Sequence, residues 1–195
     1  MAIPWIYGTN NNMLTLIIIR HGNTFDKGDT LLRVGSQTDL NLSSSGIRQC
    51  EALGNQLKKR YPTIHQAFCS ELKRTKQSAE HILNHYPKPS CKLMPLKELN
   101  EVDYGIDDGK PETEVIVRLG KAALLDWDEN ATLPNGWSFD VNECKRSLKA
   151  LTNTFIKKND NQTLLLVTSN GIARFFPSLL TDPISIKNAT PLKMP

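Results

Sequence analysis

The sequence predicts a three-layer α/β sandwich in which helices cover both faces of a largely parallel central sheet. The first observation is an apolar run at residues 14–19 (LTLIII), which is typical of a strand buried on both faces. The second is a similar run at residues 162–168 (QTLLLVT). Segments with helical spacing separate the strands. This alternation favours parallel strands, with binding sites beyond their carboxyl ends.

The other elements follow in order along the chain. We interpret residues 1–13 as a loose N-terminal leader, because a polar NNN stretch precedes the first strand. A serine cap at Ser44 or Ser45 begins the first helix, and Pro62 ends it. The remaining predictions are strands at 64–69 and 91–96 and helices at 74–86, 112–125 and 140–157.

Composition excludes several classes of protein. With 195 residues, of which 39% are hydrophobic, the chain suits one domain, which we place at residues 14–195. The formal charge of +4 is scattered, so no nucleic-acid partner is predicted. No segment resembles a membrane span or a signal peptide, which predicts a cytoplasmic protein without a membrane partner. Four widely spaced cysteines predict reduced thiols rather than a zinc site.

The segment Arg20-His21-Gly22-Asn23-Thr24 directly follows the first strand and is the main candidate for a reactive site. A guanidinium can hold phosphate oxygens through two hydrogen bonds, and a glycine lets a ligand approach the backbone. The asparagine and the threonine add short polar groups. Imidazole is largely unprotonated near neutral pH and can attack phosphorus.

Three further motifs follow, and together with the first they resemble the histidine phosphatase superfamily, which also contains the cofactor-dependent phosphoglycerate mutases. A strand that runs into R-H-G-x-T is the signature of that family. LSSSGIRQ at 42–49 resembles its L-T-x-x-G-x-x-Q helix start, and SELKRT at 70–75 resembles S-x-L-x-R-[AT]. LNEVDYG at 99–105 resembles L-x-E-x-x-x-G. The resemblance covers residues 14–176 and implies a phosphoglycerate mutase-like fold.

The resemblance also implies a role for each matching residue. His21 would become phosphorylated transiently, while Arg20 and Arg74 neutralise the phosphoryl oxygens. Glu101 would protonate the leaving oxygen and then deprotonate water, which requires a raised carboxyl pKa. No metal or other cofactor is implied. The predicted catalytic residues are therefore His21, Glu101, Arg20 and Arg74, and the predicted phosphate-binding residues are Arg20, Asn23, Thr24, Arg74, Ser169 and Asn170.

Three segments depart from the family pattern. A second histidine normally follows the last major strand, but Ser169 occupies that position, and neither it nor Asn170 can carry positive charge. Loss of one such donor commonly lowers a rate by about 10²–10³. Lys27 stands where many members have asparagine, and it either supplies charge to the pocket or is a solvated loop residue. Asp107-Asp108-Gly109 stands in place of a W-E-G segment.

The leading hypothesis is a phosphatase that hydrolyses a small phosphorylated metabolite, a phosphomonoester, through a phosphohistidine at His21. A mutase is disfavoured, because no long basic insertion follows Gly105 to hold a bisphosphate. The alternative is a non-catalytic phosphate-binding or regulatory relative in which Ser169 has disabled turnover. The prediction leaves a homodimer open.

Residues outside these motifs are predicted to be structural. His81 and His85 lie one helical turn apart, but no third ligand accompanies them, so no metal site is predicted. His65 is likewise predicted to be a structural residue and not a metal ligand. We expect Trp127 and Trp137 to pack in the core or on the surface rather than to line a substrate rim.

Overall fold

The computed structural model describes residues 2–9, 12–87, 91–158 and 161–179, in which a five-stranded sheet lies at the centre. Its strands are β1 (Ala2–Thr9), β2 (Asn12–Arg20), β3 (Gln66–Cys69), β4 (Leu93–Pro95) and β5 (Thr163–Thr168). They lie in the order β1-β2-β5-β3-β4, and β2, β5, β3 and β4 run parallel to one another. The predicted α/β class with a largely parallel sheet is confirmed.

The structure differs from the predicted loose leader at residues 2–9. These residues form β1, which pairs antiparallel with β2 in a register that joins Ala2 to Ile19 and Thr9 to Asn12. The segment AIPWIYGT contains β-branched and aromatic residues that favour strands. Pairing is also favoured because the edge of β2 presents backbone N–H and C=O groups that a neighbouring strand can satisfy. Residues 1, 10 and 11 of the predicted leader lie outside the described residues.

The helices cover the sheet much as predicted. They are α1 (Ser44–Arg60), α2 (Lys73–Leu83), α3 (Glu112–Leu119), α4 (Lys121–Asn130), α5 (Val141–Lys158), α6 (Asn170–Ala173) and α7 (Phe176–Leu179). Ser43 caps α1 one residue before the predicted position, because its hydroxyl accepts from the Gly46 N–H at 3.2 Å. The single helix predicted at 112–125 is two helices, since Gly120 between them has a φ of 79°.

Two further points concern a possible membrane span and the end of the predicted domain. Among the described helices, none has the length and apolar character needed to cross a lipid bilayer. The predicted domain extends to residue 195, and its last part, 180–195, lies outside the described residues.

Two hydrophobic clusters lie on opposite faces of the sheet. Leu16 and Ile18 of β2 belong to a cluster with residues of α4, α5 and α7, whereas Ile17 and Ile19 belong to a cluster with residues of α1 and α2. This alternation follows from the period of two residues in a strand, and it confirms that β2 is buried on both faces.

Trp127 and Trp137 pack inside the first of these clusters. Trp127 and Trp137 are buried and contact each other edge to face, with ring centroids 5.3 Å apart. Phe139 and Tyr104 extend the same aromatic group. The expectation was that these two tryptophans pack in the core or on the surface rather than line a substrate rim, and the structure places both in the core.

Candidate active site

The carboxyl ends of three neighbouring parallel strands bring candidate residues to one edge of the sheet. His21 follows β2, Ser169 follows β5 and Ser70 follows β3. The backbone pairing continues beyond the strands, because the His21 N–H donates to the Thr168 carbonyl at 3.0 Å. The Ser70 N–H likewise donates to the Val167 carbonyl at 3.1 Å. Since β5 is the middle strand of the three, Ser169 lies between the other two positions.

One hydrogen bond fixes the position of the proton on the His21 ring. Nδ1 lies 2.7 Å from the carbonyl oxygen of Gly22, which can only accept, so Nδ1 carries the proton and Nε2 carries the lone pair. The pKa of His21 is lowered from 6.5 to about 3, first by burial and then by the charge of Arg74, with a smaller effect from Arg20. The ring is therefore neutral at neutral pH, and Nε2 is a potential nucleophile.

Gly22 is held between α1 and α2. Its N–H donates to Ser78 Oγ at 3.0 Å, and the Ser78 hydroxyl donates to the Arg74 carbonyl at 2.6 Å. A Cβ at this position would lie 2.6 Å from the Gly46 carbonyl oxygen, which is closer than such atoms approach. Only glycine therefore fits here, and its fixed backbone keeps in place the carbonyl that orients His21.

Arg74 lies beside His21 in the first turn of α2 and is fully buried. Its Nε donates to His21 Nε2 at 3.2 Å. Its Nη1 and Nη2 donate to the carbonyls of Thr38 and Gly35 at 2.8 and 3.0 Å. Burial lowers the pKa of Arg74, and the charge of Glu101 is the largest effect that opposes this shift. Arg74 is therefore not a solvated helix residue, and its guanidinium is fixed next to the nucleophilic nitrogen.

Asp108 holds the loop that binds Arg74. Its carboxylate accepts from the backbone N–H groups of Gly35 at 3.2 Å and Gln37 at 3.1 Å, and from the Thr38 hydroxyl. Gly35 and Thr38 are the two residues whose carbonyls bind the guanidinium. Asp108 therefore positions Arg74 through this loop, a role that the sequence alone did not reveal.

Glu101 is buried next to the start of α6. Its Oε1 accepts from the Val102 N–H at 2.9 Å, and the Gly171 N–H forms a second hydrogen bond to the carboxyl group. Burial raises the pKa of Glu101, and these hydrogen bonds and the charge of Arg74 oppose the shift. A Cβ at Gly171 would collide with Oε1, so glycine is required there. The raised pKa has the direction that a general acid requires, and Glu101 is not a solvated loop carboxylate.

Ser169 is fully buried immediately before α6. Its hydroxyl makes no capping hydrogen bond to the helix, and within the described part of the chain Oγ has no hydrogen-bond partner. A buried hydroxyl without a partner costs free energy, commonly about 1–3 kcal/mol. The hydroxyl of Ser169 thus lies at the strand ends beside His21, where it can still donate one hydrogen bond and accept others.

A pocket of about 310 Å³ opens at the strand ends. Five of the predicted residues line it together: Arg20, His21, Thr24, Glu101 and Asn170. The structure thus brings together the candidate nucleophile, the candidate general acid, one guanidinium and two short polar side chains from three separate segments of the chain.

Other predicted residues lie outside the wall of this pocket. Arg74 is fully buried and does not line the pocket, although its Nε lies 3.2 Å from His21 Nε2. The Asn23 side chain donates to Ser45 Oγ at 3.4 Å, and its backbone N–H donates to Gln49, so Asn23 joins the loop to α1. Ser169 is also absent from the wall. The described geometry gives these three residues no direct exposure to the pocket.

Lys27 lies outside the pocket as well. Its side chain is exposed, which favours the interpretation as a solvated loop lysine over a source of charge for the pocket. The neighbouring Asp26 accepts from the Ser45 N–H at 3.0 Å at the start of α1. Hydrogen bonds from Ser45 and Ser43 lower the pKa of Asp26. Asp26 therefore joins the loop to α1.

Arg33 is a pocket residue that the sequence motifs did not indicate. It pairs with Glu112, and its guanidinium lies over the rings of Tyr104 and Trp137 at 5.3 and 5.5 Å from their centroids. Arg33, Glu112 and Tyr104 all line the pocket. The apolar residues around Arg33 in an otherwise polar loop, LLRV at 31–34, were a signal that could have identified this wall.

The remaining histidines and the cysteines show no metal-binding arrangement. Within the described residues, no three metal-ligating side chains lie together. His65 Nδ1 accepts from the Thr163 N–H at 2.9 Å, and His81 Nδ1 lies 3.6 Å from Glu51. All four cysteines are free thiols. These residues have local structural contacts instead.

Comparison with known proteins supports one family. The model of the histidine phosphatase superfamily (branch 1) matches residues 16–194. The 2,3-bisphosphoglycerate-dependent phosphoglycerate mutase of Bartonella bacilliformis is 30% identical over 126 residues, which are 64% of this chain and 60% of that protein. The matched segment therefore spans less than two thirds of this curated relative.

Solved structures share the fold. A phosphoglycerate mutase from Bacillus anthracis superposes with a TM-score of 0.71 at 22% identity, covering 90% of this chain and 83% of that chain. A mycobacterial glucosyl-3-phosphoglycerate phosphatase superposes with a TM-score of 0.69 at 22% identity, covering 84% and 79%. The predicted phosphoglycerate mutase-like architecture is confirmed.

Proposed function

The chain belongs to the histidine phosphatase superfamily, and on that premise we propose that it hydrolyses a small phosphomonoester through a phosphohistidine at His21. The observation that carries this proposal is the hydrogen bond between His21 Nδ1 and the Gly22 carbonyl. It leaves a neutral imidazole whose Nε2 lone pair is available at a pocket that Arg20 and Glu101 also line.

In the first step, His21 Nε2 attacks phosphorus. The P–N bond forms as the bond between phosphorus and the ester oxygen breaks, and the electron pair leaves with that oxygen. Glu101 donates its proton to the leaving oxygen, which a carboxyl with a raised pKa can do near neutral pH. Before the reaction Arg74 donates a hydrogen bond to Nε2, and we expect this Nε–H to keep its proton and to donate to a phosphoryl oxygen once Nε2 has bonded to phosphorus.

In the second step, water attacks the phosphohistidine. The Glu101 carboxylate takes one proton from the water as the new P–O bond forms and the P–N bond breaks. Inorganic phosphate leaves, and His21 returns to its neutral form with the proton still on Nδ1. Arg20 and Arg74 balance the charge on the phosphoryl oxygens in both steps. The two steps require no redox partner.

A second candidate function follows from Ser169. A serine cannot supply the positive charge of the histidine that normally occupies this place, and its buried Oγ has no partner among the described residues. A protein with this pocket could bind phosphate esters without turning them over. Such a protein would act as a phosphate-binding or regulatory relative.

The test is release of phosphate from a panel of phosphomonoesters, in the presence of a metal chelator, by wild type, H21A and S169H. We expect wild-type activity that H21A abolishes and that S169H raises by up to about 10²-fold, because a donor with positive charge is restored. Samples quenched during turnover should contain phosphorylated protein in wild type and none in H21A. H81A serves as the matched control, since His81 lies on α2 beside Glu51 and outside the pocket.

The two candidate functions predict different results. Phosphate release that persists in H21A would exclude the phosphohistidine mechanism. Release that is absent from wild type and present in S169H would exclude the phosphatase and support the phosphate-binding alternative.

A further inference from the structure

The pocket at His21 has two chemically different parts. One part is polar and contains the candidate catalytic residues. The other part is apolar and is formed by side chains of the loop that follows His21 and by Tyr104. We call this apolar part the apolar collar, and its members are Phe25, Leu31, Leu32, Val34 and Tyr104.

The apolar collar is held by backbone hydrogen bonds. The Arg33 N–H donates to the Lys110 carbonyl, and the Gly109 N–H donates to the Arg33 carbonyl, both at 2.8 Å. The Glu112 N–H donates to the Leu31 carbonyl at 2.8 Å. These bonds fix the loop against the segment before α3. Leu31 nevertheless keeps 58% of its surface exposed, so the fold holds a large apolar side chain in water at the pocket.

The charged side chains beside the apolar collar, Arg33 and Glu112, pair with each other. Arg33 forms its ion pair with Glu112 and lies over the aromatic rings of Tyr104 and Trp137. These contacts neutralise the charge that could attract a second phosphate or a carboxylate. The charge of Arg33 therefore does not strengthen the binding of a leaving group that carries an additional negative charge.

A second cavity also reaches Glu101 but has a different character. Its volume is about 440 Å³, and its wall includes Glu98, Asp103, Asp140 and Glu143. Neither His21 nor Arg20 belongs to that wall. A group attached to a phosphoryl at His21 would therefore lie in the pocket that the apolar collar lines.

We propose that the apolar collar binds the leaving group of the substrate and selects phosphomonoesters of apolar alcohols, alkyl or aryl, over esters of sugars, polyols and hydroxy acids. The inference rests on the proposed function in one respect, namely that the phosphoryl group sits at His21. Burial of each methylene of the alcohol against the collar would strengthen binding, whereas hydroxyl groups placed there would lose hydrogen bonds to water.

The experiment measures binding of alkyl phosphonates, which cannot be hydrolysed, by calorimetry with the full chain. We use methyl, butyl and hexyl phosphonate, and 6-hydroxyhexyl phosphonate as a polar comparison. Affinity should rise about twofold to fourfold for each added methylene that is buried. The hydroxylated ligand should bind less tightly than hexyl phosphonate.

Two matched substitutions locate the effect. L31S should flatten the dependence on chain length, because it removes the most exposed member of the apolar collar. L125S is the control, since Leu125 on α4 has a similar exposure of 56% and does not line the pocket. We expect L125S to keep the wild-type dependence. Melting temperatures of both variants show whether folding is retained.

The outcomes separate this inference from the proposed function. Affinities independent of chain length, or equal effects of L31S and L125S, would overturn the role of the apolar collar. A chain-length dependence that L31S removes would support the collar even in a protein that releases no phosphate, and in that case only the catalytic proposal would fail.

Discussion

In the proposed mechanism His21 and Glu101 require opposite states of protonation, and burial favours both. Burial lowers the pKa of His21 to about 3, so the nucleophile is unprotonated at neutral pH. The same effect raises the pKa of Glu101, which keeps a proton available for the leaving oxygen. Desolvation disfavours the charged form of each group, which is cationic for imidazole and anionic for carboxyl. Burial therefore favours the proton states of a nucleophile and an acid at the same time.

This pair predicts the pH dependence of activity. Because Glu101 must be protonated, kcat should fall as the pH rises through its raised pKa, and His21 should cause no loss above pH 4. E101Q should lower kcat by about 10²–10⁴ and remove this alkaline decline. E80Q, a change of an exposed residue on α2, should keep the wild-type profile. The measurement is kcat against pH for the three proteins on one ester, and an unchanged decline in E101Q would exclude Glu101 as the acid.

At the scale of elements, the short loop from Gly35 to Thr38 links two parts of the chain that are distant in sequence. It accepts hydrogen bonds from Arg74 at the start of α2 and donates to Asp108 before α3. The position of the guanidinium therefore depends on a carboxylate that forms no hydrogen bond to Arg74 and does not line the pocket. A displacement of about 1 Å in a catalytic group can lower a rate by about 10².

We therefore expect D108N to lower kcat/KM by roughly tenfold to a hundredfold. The amide keeps the shape of the side chain but places N–H groups where backbone N–H donors already point. D126N is the matched control, because Asp126 accepts only from polar side chains near the end of α4. Inorganic phosphate affinity and melting temperature should be measured alongside kcat/KM. Equal kcat/KM values for the two variants would contradict a positioning role for Asp108.

The elements also show what the sequence could predict. Apolar runs with β-branched residues gave β2, and proline and serine positions gave the limits of α1, because these signals are local. The break at Gly120 was missed, since a glycine within a helical pattern is often tolerated. β1 was missed although its residues favour a strand, because its pairing with β2 depends on a partner strand that a local pattern does not show.

On the scale of the whole molecule, the parallel sheet explains why motif positions were predictable and the pocket wall was not. Strand ends meet at one edge, so residues after β2 and β5 come together by topology alone. Arg33 and the apolar collar reach the pocket through hydrogen bonds between two loops, which no spacing rule in the sequence encodes. The exclusion of Asn23 from the wall likewise depends on its contacts with α1.

Because the fold keeps His21 neutral, the stability of the whole molecule decreases in acid. The unfolded chain binds a proton at this ring below pH 6.5, whereas the folded protein does so only near pH 3, so stability is lost as the pH falls through this window. Between pH 7 and 5 the loss attributable to His21 is about 1–2 kcal/mol. Glu101 has a raised pKa, so its contribution changes in the opposite direction, with stability lost as the pH rises.

We predict that H21Q reduces the loss of stability in acid. The measurement is the free energy of unfolding in urea at pH 7 and pH 5 for wild type, H21Q and H81Q. Wild type and H81Q should lose more stability between the two pH values than H21Q does, by about 1–2 kcal/mol, because glutamine binds no proton in either state. Equal losses in wild type and H21Q would mean that the folded protein protonates His21 as readily as the unfolded chain. Such a result would remove the electrostatic basis for a neutral nucleophile.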